Sequence, residues 1–472
     1  MICTIVYAKN AAGQNMGTPY ETSVADSVQV TCPDGSSLSA DQIYSSVSTQ
    51  IMTLSGHVLY SDGKKRVSAD GAQYYKNAGL LQAHGHVVVT DLETRSRLEA
   101  PALDYFRQNA RTPEARMVTS GGRGHAVIQQ RAKAGVAARS ERDSTIVDAD
   151  VIEIIGERMF RGTGNAVITR RDMRGYGNDV AYDQSGGEMQ LAQDARVESE
   201  KYQLHGDTIR ALLTEGEDVR EVRSIRNARL IAEDIRVNSP FLTIQLDSGA
   251  VNRLIATRPA GTAGRPDGMP EVLSTSFNLR ADSIDTRAPG QKLERVDAVG
   301  HAFGERIDTA AGPPQAGELP QYLTNDWVTG DTIVAAFTVD SAAAARAAAR
   351  RAAAPTLERA DAASTSASTD VSAANDGRVL ESLVVSGVPG APASATLRMK
   401  IADRDSTAAA AAAVPSPEKP PEWEFHHTLA DRIIVRFEKG EVADLDLKGN
   451  VKGLYLTPAT RTAAGTNRPG GS

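Results

Sequence analysis

A tripeptide of glycine, then histidine or asparagine, then valine or alanine occurs six times in this chain. Each copy lies between two short runs in which apolar and polar residues alternate, so one supersecondary unit is repeated along the sequence. Stacked copies of such a unit bury their apolar faces against each other. The six copies begin at Gly56, Gly85, Gly124, Gly164, Gly300 and Gly449.

A second repeated pair, a small residue or asparagine followed by aspartate, keeps step with the tripeptide. The spacing from Asp41 to Asp70 is 29 residues, and the spacing from Asp150 to Asp179 is the same. Glycine suits a backbone bend or bulge, histidine and asparagine tolerate unusual dihedral angles, and a carboxylate can cap free amides at a corner. We therefore assign a structural role to both patterns. The aspartates assigned to it are Asp41, Asp70, Asp150, Asp179, Asp207 and Asp282.

The residues between these patterns alternate with a period of two, which is typical of strands with one buried face. Over residues 81–90, the odd positions are apolar or small and the even positions are mostly polar. Aromatic residues make up only 5% of the chain. That composition suits a solenoid or an elongated jellyroll, because neither needs a large central core. We predict an all-β fold in which each unit consists of two short strands joined at a corner.

The repeats are interrupted by segments that carry little apolar surface. Two alanine-rich segments and the C-terminal tail are expected to be disordered, apart from a short helix within 341–360. The predicted organisation is an N-terminal segment 1–23; β repeats over 24–306 with loops at 109–145 and 258–272; further β repeats over 322–340 and 377–456, interrupted by inserts 341–376 and 404–421; and a tail 457–472.

Two stretches of the chain resemble the OstA-like family of periplasmic lipopolysaccharide-transport proteins. The first is DGSSLSADQIY at 34–44, followed by LSGHV at 54–58; the second is GHVVVTD at 85–91, followed by SRLEAP at 96–101. The resemblance covers most of residues 24–306 and recurs at 425–456. It implies an elongated, solenoid-like repeat β-jellyroll of stacked V-shaped antiparallel turns, whose end strands pair with other OstA-like transport proteins. It also allows a head-to-tail homo-oligomer.

The resemblance further implies a periplasmic module of outer-membrane biogenesis, in the periplasm or associated with the outer membrane. Its open interior would hold the acyl chains of lipopolysaccharide or a similar glycolipid in an apolar groove. The alternation of residues places several side chains on the inward face of successive strands, where they either line such a groove or pack against each other across a closed interior. These inward residues are Val58, Tyr60, Val87, Val89, Ala166, Ile168, Ala228 and Leu230.

No catalytic, cofactor or metal site is predicted. Four of the eight histidines occupy the same position of the repeat, where a shared structural role explains them better than four active sites would. The net charge of -7 speaks against a nucleic-acid partner, which a basic patch would attract. A structural or adhesive β-solenoid scaffold at the cell surface remains the alternative function, with a carbohydrate-active β-helix enzyme behind it.

The N-terminus and the cysteines say little about location. Residues 1–10 lack the basic region and the cleavage pattern of a secretory signal, so we expect that the sequence starts downstream of its natural N-terminus. The two cysteines, Cys3 and Cys32, could pair in an oxidising compartment, but their number and spacing alone do not predict a disulfide.

Overall fold

The structure is a computed structural model, and it describes most of the repeats. The described residues are 4–14, 21–33, 35–46, 49–109, 112–129, 144–156, 158–170, 173–199, 202–214, 218–232, 235–247, 250–262, 268–274, 277–306, 326–339, 378–400, 423–438 and 441–456. The alanine-rich inserts 341–376 and 404–421, the helix expected within the first of them, and the tail 457–472 all lie outside these residues.

The contacts between residues divide the chain into two units, Met1–Ala232 and Glu233–Ser472. This division falls inside the predicted repeat region 24–306, although no linker or change of composition marks a boundary there. The strands of unit 1 are β1 (Thr4–Tyr7), β2 (Asn10–Gln14), β3 (Glu21–Thr31), β4 (Ser37–Ser46), β5 (Ile51–Ser61), β6 (Lys65–Tyr75), β7 (Leu80–Asp91), β8 (Arg97–Phe106), β9 (Arg116–Ser120), β10 (Gly124–Ile128), β11 (Thr145–Ala149), β12 (Val151–Ile155), β13 (Met159–Arg170), β14 (Met173–Asp183), β15 (Glu188–Glu198), β16 (Tyr202–Leu213) and β17 (Val219–Ala232).

Most strands of unit 1 pair antiparallel with the strands before and after them in the chain. This order runs from β3 to β8 and again from β13 to β17. Between these runs, the half-length strands β9 and β10 both pair with β8, and β11 and β12 both pair with β13. At the N-terminus, β1 and β2 pair with opposite ends of β3.

The prediction of a loop over 109–145 is wrong for its two strands, β9 and β10. Within β9, Met117 is buried while its neighbours Arg116 and Val118 are more exposed, which is the alternation of a strand. The charged residues around this short run hid the alternation in the sequence. Strands β1 and β2 lie in the predicted N-terminal segment 1–23, for which no strand was predicted.

Each long strand of unit 1 bends at its middle, so that its two halves belong to two arms of a V. In β5, residues 58–61 pair with 66–69 of β6 in the first arm, and residues 51–55 pair with 71–75 in the second. Inward-facing side chains of the two arms meet each other and form the core. Among the largest that are fully buried are Leu38, Leu54, Tyr60, Leu81 and Leu103. The predicted all-β fold of stacked antiparallel turns is confirmed.

Unit 2 is also built from antiparallel strands. A 3-10 turn, Pro289–Gln291, separates two of them. The strands are β18 (Ile235–Asp247), β19 (Ala250–Thr257), β20 (Glu271–Ser274), β21 (Phe277–Arg280), β22 (Ser283–Arg287), β23 (Arg295–Arg306), β24 (Asp326–Val339), β25 (Arg378–Ser386), β26 (Ala393–Lys400), β27 (Trp423–Ala430), β28 (Arg432–Glu438), β29 (Glu441–Lys448) and β30 (Lys452–Leu456).

The connectivity within unit 2 repeats the split pairing seen in unit 1. Strand β23 pairs with β21, β22 and β24, and β24 pairs in turn with β25 and β26. Ile433 and Val435 of β28 are fully buried, as the alternation around them predicted. The predicted loop 258–272 has no regular secondary structure in its described part up to residue 270, and its last two residues begin β20.

Two further features concern the chain as a whole. Among the described residues, no helix is long and apolar enough to cross a membrane. Cys32, which is buried at the end of β3, is disulfide-bonded, although the cysteine spacing did not predict a bond. The residue to which it is bonded lies outside the described part of the chain.

Candidate functional site

The repeated glycine-histidine pair forms the bend of each strand. In β5, Ser55 pairs with Gly71 of β6 and Val58 pairs with Ala69, so Gly56 and His57 together lie opposite the single residue Asp70. Two residues opposite one is the arrangement of a β-bulge, which bends a strand and increases its twist. Gly56 and His57 both have positive φ, at 73° and 44°. The bulge therefore sets the corner between the two arms.

At six of these corners, an aspartate earlier in the chain binds the histidine or asparagine that follows the first corner residue. The Nδ1 atom of His57 lies 2.7 Å from Oδ2 of Asp41, and His86 and Asp70 repeat this distance. Where asparagine replaces histidine, its amide donates to the carboxylate instead. His301 pairs with Asp282 in the same way as His57. The asparagine pairs are Asn165 with Asp150, Asn227 with Asp207, and Asn450 with Asp431.

The glycine of the bulge is required for two reasons. Gly85 has a φ of 74°, a region that side chains with a Cβ rarely adopt. A Cβ on Gly85 would also lie 2.5 Å from Oδ2 of Asp70. At this bulge, Asp70 can approach so closely because Gly85 has no side chain. The structural role predicted for both sequence patterns rests on this contact.

Not every predicted copy has this geometry. His125 lies in a regular strand with its Nδ1 2.8 Å from Oδ1 of Asp148, and neither it nor Gly124 has a positive φ. Asp179 lies one residue beyond the corner, because Asn178 stands opposite the bulge of β13. Asp179 instead pairs with Arg161 across the outer face.

Three bulges have no glycine, and the sequence does not reveal them. One is Asp26–Ser27 in β3, opposite Asp41. The others are Gln193–Asp194 in β15 and Arg226–Asn227 in β17, and all four of these residues have φ values between 54° and 61°. Each pair stands opposite one residue of the neighbouring strand, as the register shifts show. The spacing of about one bulge in every second strand was the only signal that could have located them.

The corner histidines are exposed and do not form a metal site. The hydrogen bond with Asp41 raises the pKa of His57, whose side chain is 90% exposed. Among the described residues, no group of three or more histidine, cysteine, aspartate or glutamate side chains could hold a metal ion. The corner is thus a structural contact on the surface, and the other candidate for a site is the interior.

All eight residues predicted to face inward are buried in the interior of unit 1. Their exposed fractions range from 0% for Tyr60 to 8% for Leu230. Their neighbours along the strand, such as Val88 and Val167, are more exposed and face outward. The structure does not bring the eight residues together at one point, because they lie on β5, β7, β13 and β17.

The interior between β5 and β8 is filled by three tyrosines, here called the tyrosine cluster: Tyr60, Tyr74 and Tyr105. The Tyr60 ring comes from the first arm and lies 6.4 Å from the Tyr74 ring and 6.0 Å from the Tyr105 ring, both of the second arm. The Tyr105 hydroxyl donates to Oδ2 of Asp62 over 2.6 Å and so connects the arms. Within the described residues, the buried Tyr60 hydroxyl has no hydrogen-bond partner.

Two open pockets lie farther along the interior. The first, here the β8–β13 pocket, is lined by Leu98, Met117, Ile128 and Phe160, and by Lys65 with Asp91. The Lys65 ammonium is nearly buried and lies 2.7 Å from Oδ2 of Asp91, which neutralises its charge. Burial opposes ionisation of the Asp91 carboxyl, but the Lys65 ammonium and the hydrogen bonds from Thr94 hold its pKa below the usual value.

The second, here the β13–β17 pocket, is more apolar. Its walls are aliphatic, methionine and tyrosine side chains and the backbone of Gly175, from both arms, together with one charged residue, Arg170. The space that it encloses is small, about 40 Å³, and the rest of it opens to solvent. Arg170 ends β13 and is 6% exposed. No sequence signal identified this residue, which lies next to a chain segment with many other arginines.

Comparison with known proteins confirms the resemblance found in the sequence. Residues 37–217 match the family model described as "LptA/(LptD N-terminal domain) LPS transport protein". The chain is also similar to a solved structure, the LptH protein of Pseudomonas aeruginosa, described as the LptA homologous periplasmic component of the lipopolysaccharide transport device. That match has 14% identity, covers 44% of this chain and 93% of LptH, and has a TM-score of 0.16. The comparison with curated proteins found no match.

Proposed function

We propose that unit 1 is a periplasmic lipid-binding module of outer-membrane biogenesis that holds acyl chains of lipopolysaccharide, or of a similar glycolipid, between its two arms. The observation that carries this proposal is the match of residues 37–217 to a lipopolysaccharide-transport family model. This segment contains both the tyrosine cluster and most of the two pockets. The function therefore resides in the interior, where the chain offers apolar surface rather than reactive groups.

The apolar interior supplies the binding energy that such a ligand needs. Removing apolar surface from water contributes roughly 25 cal/mol per Å². Partial burial of several acyl chains thus outweighs one polar contact. Inward residues such as Val89 and Ile168 line the two pockets and would contact the chains. Catalytic chemistry has no part in this function.

The disulfide at Cys32 supports a location in the periplasm. Disulfides form and persist in oxidising compartments and are rare in the cytosol of mesophiles. A protein with such a bond at the end of β3 is suited to the periplasm or to the periplasmic side of the outer membrane. Non-reducing mass spectrometry of the protein isolated from that compartment should recover Cys32 in a disulfide-linked peptide.

The partners proposed from the resemblance are other OstA-like transport proteins, bound by pairing of end strands. An end strand presents unpaired backbone amides and carbonyls that can accept another strand. Within the described residues of unit 1, β1 and β2 pair only with β3. A second copy of this chain could bind in the same way and would form a head-to-tail oligomer.

Photo-crosslinking tests whether the interior binds lipid. A benzoylphenylalanine at Val89 or Ile168, which face inward, should capture lipopolysaccharide in cells. The same residue at Val88 or Val167, which face outward on the same strands, is the matched control and should not. Thermal unfolding of each variant must first show that it is folded. Equal labelling from both faces, or none from the inward positions of a folded protein, would argue against the function.

A structural scaffold at the cell surface is the second candidate, and the filled interior at the tyrosine cluster favours it. Side chains that close the space between the arms leave no groove at that point. If the inward positions capture no lipid while the protein stays associated with the cell surface, the scaffold function is preferred.

A further inference from the structure

We propose that the outer face of unit 1 carries a binding site for a phosphate group, formed by Arg196, His205 and Arg229 on the neighbouring strands β15, β16 and β17. The inference goes beyond the proposed function, because these side chains lie on the opposite face of the strands from the interior. It does not depend on what the interior binds.

The three side chains stand in one row across the strands. Arg196 pairs directly with His205, and His205 pairs directly with Arg229. Adjacent residues along the strands, such as Leu204 and Ala228, are buried in the interior, so the row faces outward. Neighbouring strands lie about 4.7–4.9 Å apart. The two long arginine side chains can therefore reach one anion placed over the imidazole between them.

Arg196 is oriented by its neighbours and keeps donors for a ligand. Its Cζ lies 4.4 Å from the ring centroid of Tyr176, the residue directly opposite on β14. Its Nε lies 3.3 Å from Oε1 of Glu198 on its own strand. A guanidinium has five N–H donors in a planar fork, which one carboxylate does not exhaust. These two contacts therefore hold Arg196 in place without using up its capacity to bind an anion.

Arg229 differs from the other arginines on the outer face of this unit. Several of those pair with carboxylates of neighbouring strands: Arg116 with Glu153, Arg161 with Asp179, and Arg210 with Glu188. Arg229 is exposed and has the imidazole of His205 opposite it instead. Within the described part of the chain, Arg229 forms no ion pair. An anion that binds here would supply the missing counter-charge.

His205 responds to the charge of both arginines. Burial, Arg196 and Arg229 lower the pKa of His205, while Glu198 acts in the opposite direction. The carboxylate on its own strand, Asp207, is engaged in the corner contact described above. The imidazole is therefore neutral at pH 7. A bound anion favours its protonated form, in which both ring nitrogens donate hydrogen bonds.

A phosphate monoester matches the charge and the donors of this row. It carries a charge of about -1.5 to -2 at pH 7 and three acceptor oxygens. Guanidinium groups bind phosphate through two parallel hydrogen bonds, and the imidazole adds a further donor. The chain as a whole has a net charge of -7 and does not attract anions in general. A lipid headgroup and a soluble phosphate ester present the same chemical group to the row.

Titration with inorganic phosphate tests the site directly. The full chain, labelled at its histidines, is followed by nuclear magnetic resonance at constant ionic strength, because salt screens exposed charges. Phosphate should shift the His205 signals and raise the pKa of His205. Arg229→Gln should weaken phosphate binding about tenfold, since it removes a charge-assisted contact. Arg210→Gln removes the same charge from the other arm of β16 and is the matched control, which should bind as the wild type does.

The ligand-free protein gives a second readout. Because the Arg229 charge lowers the pKa of His205, Arg229→Gln should raise that pKa toward 6.5, whereas Arg210→Gln should not change it. Circular dichroism checks that both variants are folded. An unchanged His205 pKa in a folded Arg229→Gln variant would mean that the two side chains do not share a site.

Vesicles distinguish a lipid headgroup from a soluble phosphate. Sedimentation compares vesicles of equal parts phosphatidylcholine and phosphatidic acid with vesicles of phosphatidylcholine alone. Binding to phosphatidic acid that Arg229→Gln weakens and Arg210→Gln retains would identify a lipid phosphate. Binding of inorganic phosphate without binding to either vesicle would identify a soluble one.

Two results would overturn the inference. The first is a folded wild type that binds neither inorganic phosphate nor phosphatidic acid vesicles. The second is equal weakening by Arg229→Gln and Arg210→Gln, which would reveal a general effect of net charge. Neither result bears on acyl chains in the interior, which crosslinking from Val89 and Ile168 tests separately.

Discussion

The tyrosine cluster allows two conservative substitutions to be compared, of which one should destabilise the protein and the other should not. Tyr105→Phe removes a hydroxyl that donates to Oδ2 of Asp62 over 2.6 Å. A hydrogen bond to a charged group contributes about 1.5–3 kcal/mol. Oδ1 of Asp62 still accepts the backbone amides of Lys64 and Lys65 after the change, so the carboxylate remains partly satisfied. We expect a loss of about 1.5 kcal/mol, the lower end of that range.

Tyr60→Phe should not destabilise the protein. Its hydroxyl is fully buried and has no hydrogen-bond partner among the described residues. Burying a polar group without a partner costs about 1–3 kcal/mol, and replacing it with hydrogen removes that cost. The ring packing on Tyr74 and Tyr105 is retained in phenylalanine. The free energy of unfolding should therefore stay the same or rise by about 1 kcal/mol.

Urea unfolding monitored by circular dichroism measures both variants against the wild type. The unfolding transition of unit 1 must be identified first, because a chain with two units need not unfold in one step. A Tyr60→Phe variant that loses as much stability as Tyr105→Phe would refute the reasoning, since it would mean that the Tyr60 hydroxyl has a partner. Burial raises the pKa of both phenols, so neither should ionise in a titration of the folded protein below pH 10.

Three further predictions concern the corners and the first insert. Gly85→Ala should cost about 1–2 kcal/mol for its positive φ alone and more for the clash with Asp70, whereas Gly63→Ala, at a similar φ in open space, should cost only the first amount. Nuclear magnetic resonance titration should give His57 a pKa above 6.5 that returns toward 6.5 in Asp41→Asn. Because the pKa is raised in the folded state, the contact stabilises the fold fully below pH 6.5, and this stabilisation is lost as the pH rises through the raised pKa. Deletion of residues 341–376 should leave the thermal unfolding transition cooperative. Val339 and Arg378 are paired directly, and the deletion leaves Asp340 and Gly377 between them, which suit a two-residue Asp-Gly hairpin turn. An insoluble deletion variant would contradict this.

The period-two alternation predicted the inward residues well because it reports a local property of each strand. It placed Val87 and Val89 on the buried face and Val88 on the other, as the structure does. Glycine predicted the bulges at Gly56, Gly85, Gly164 and Gly300, but Gly124 lies in a regular strand. They were missed at Gln193–Asp194, where the positive φ values are imposed by pairing with strands on both sides rather than by the residues themselves.

The state of the interior could not be predicted from the alternation. Tyr74 and Tyr105 come from different repeats, and their contact with Tyr60 depends on the angle at which the two arms meet. Whether inward residues fill that space or line it is decided by the sum of side-chain volumes across the arms. The alternation of one strand carries no information about that sum. It is therefore compatible both with inward residues that line a groove and with inward residues that fill a closed interior.

The corner contacts explain how the interior can vary while the backbone repeats. The bond between Asp70 and His86, like that between Asp41 and His57, is made on the exposed outer side of the bend and involves no inward side chain. It fixes the register and the bend of each unit independently of what the strands carry inside. One repeat position can therefore hold Tyr60 where the arms are closed and Ile168 where they line a pocket, and the position two residues further carries Asp62 in one repeat and Arg170 in another. Substitutions at the corner should thus alter stability without changing the interior, whereas substitutions at the inward positions should change how much open space the arms enclose.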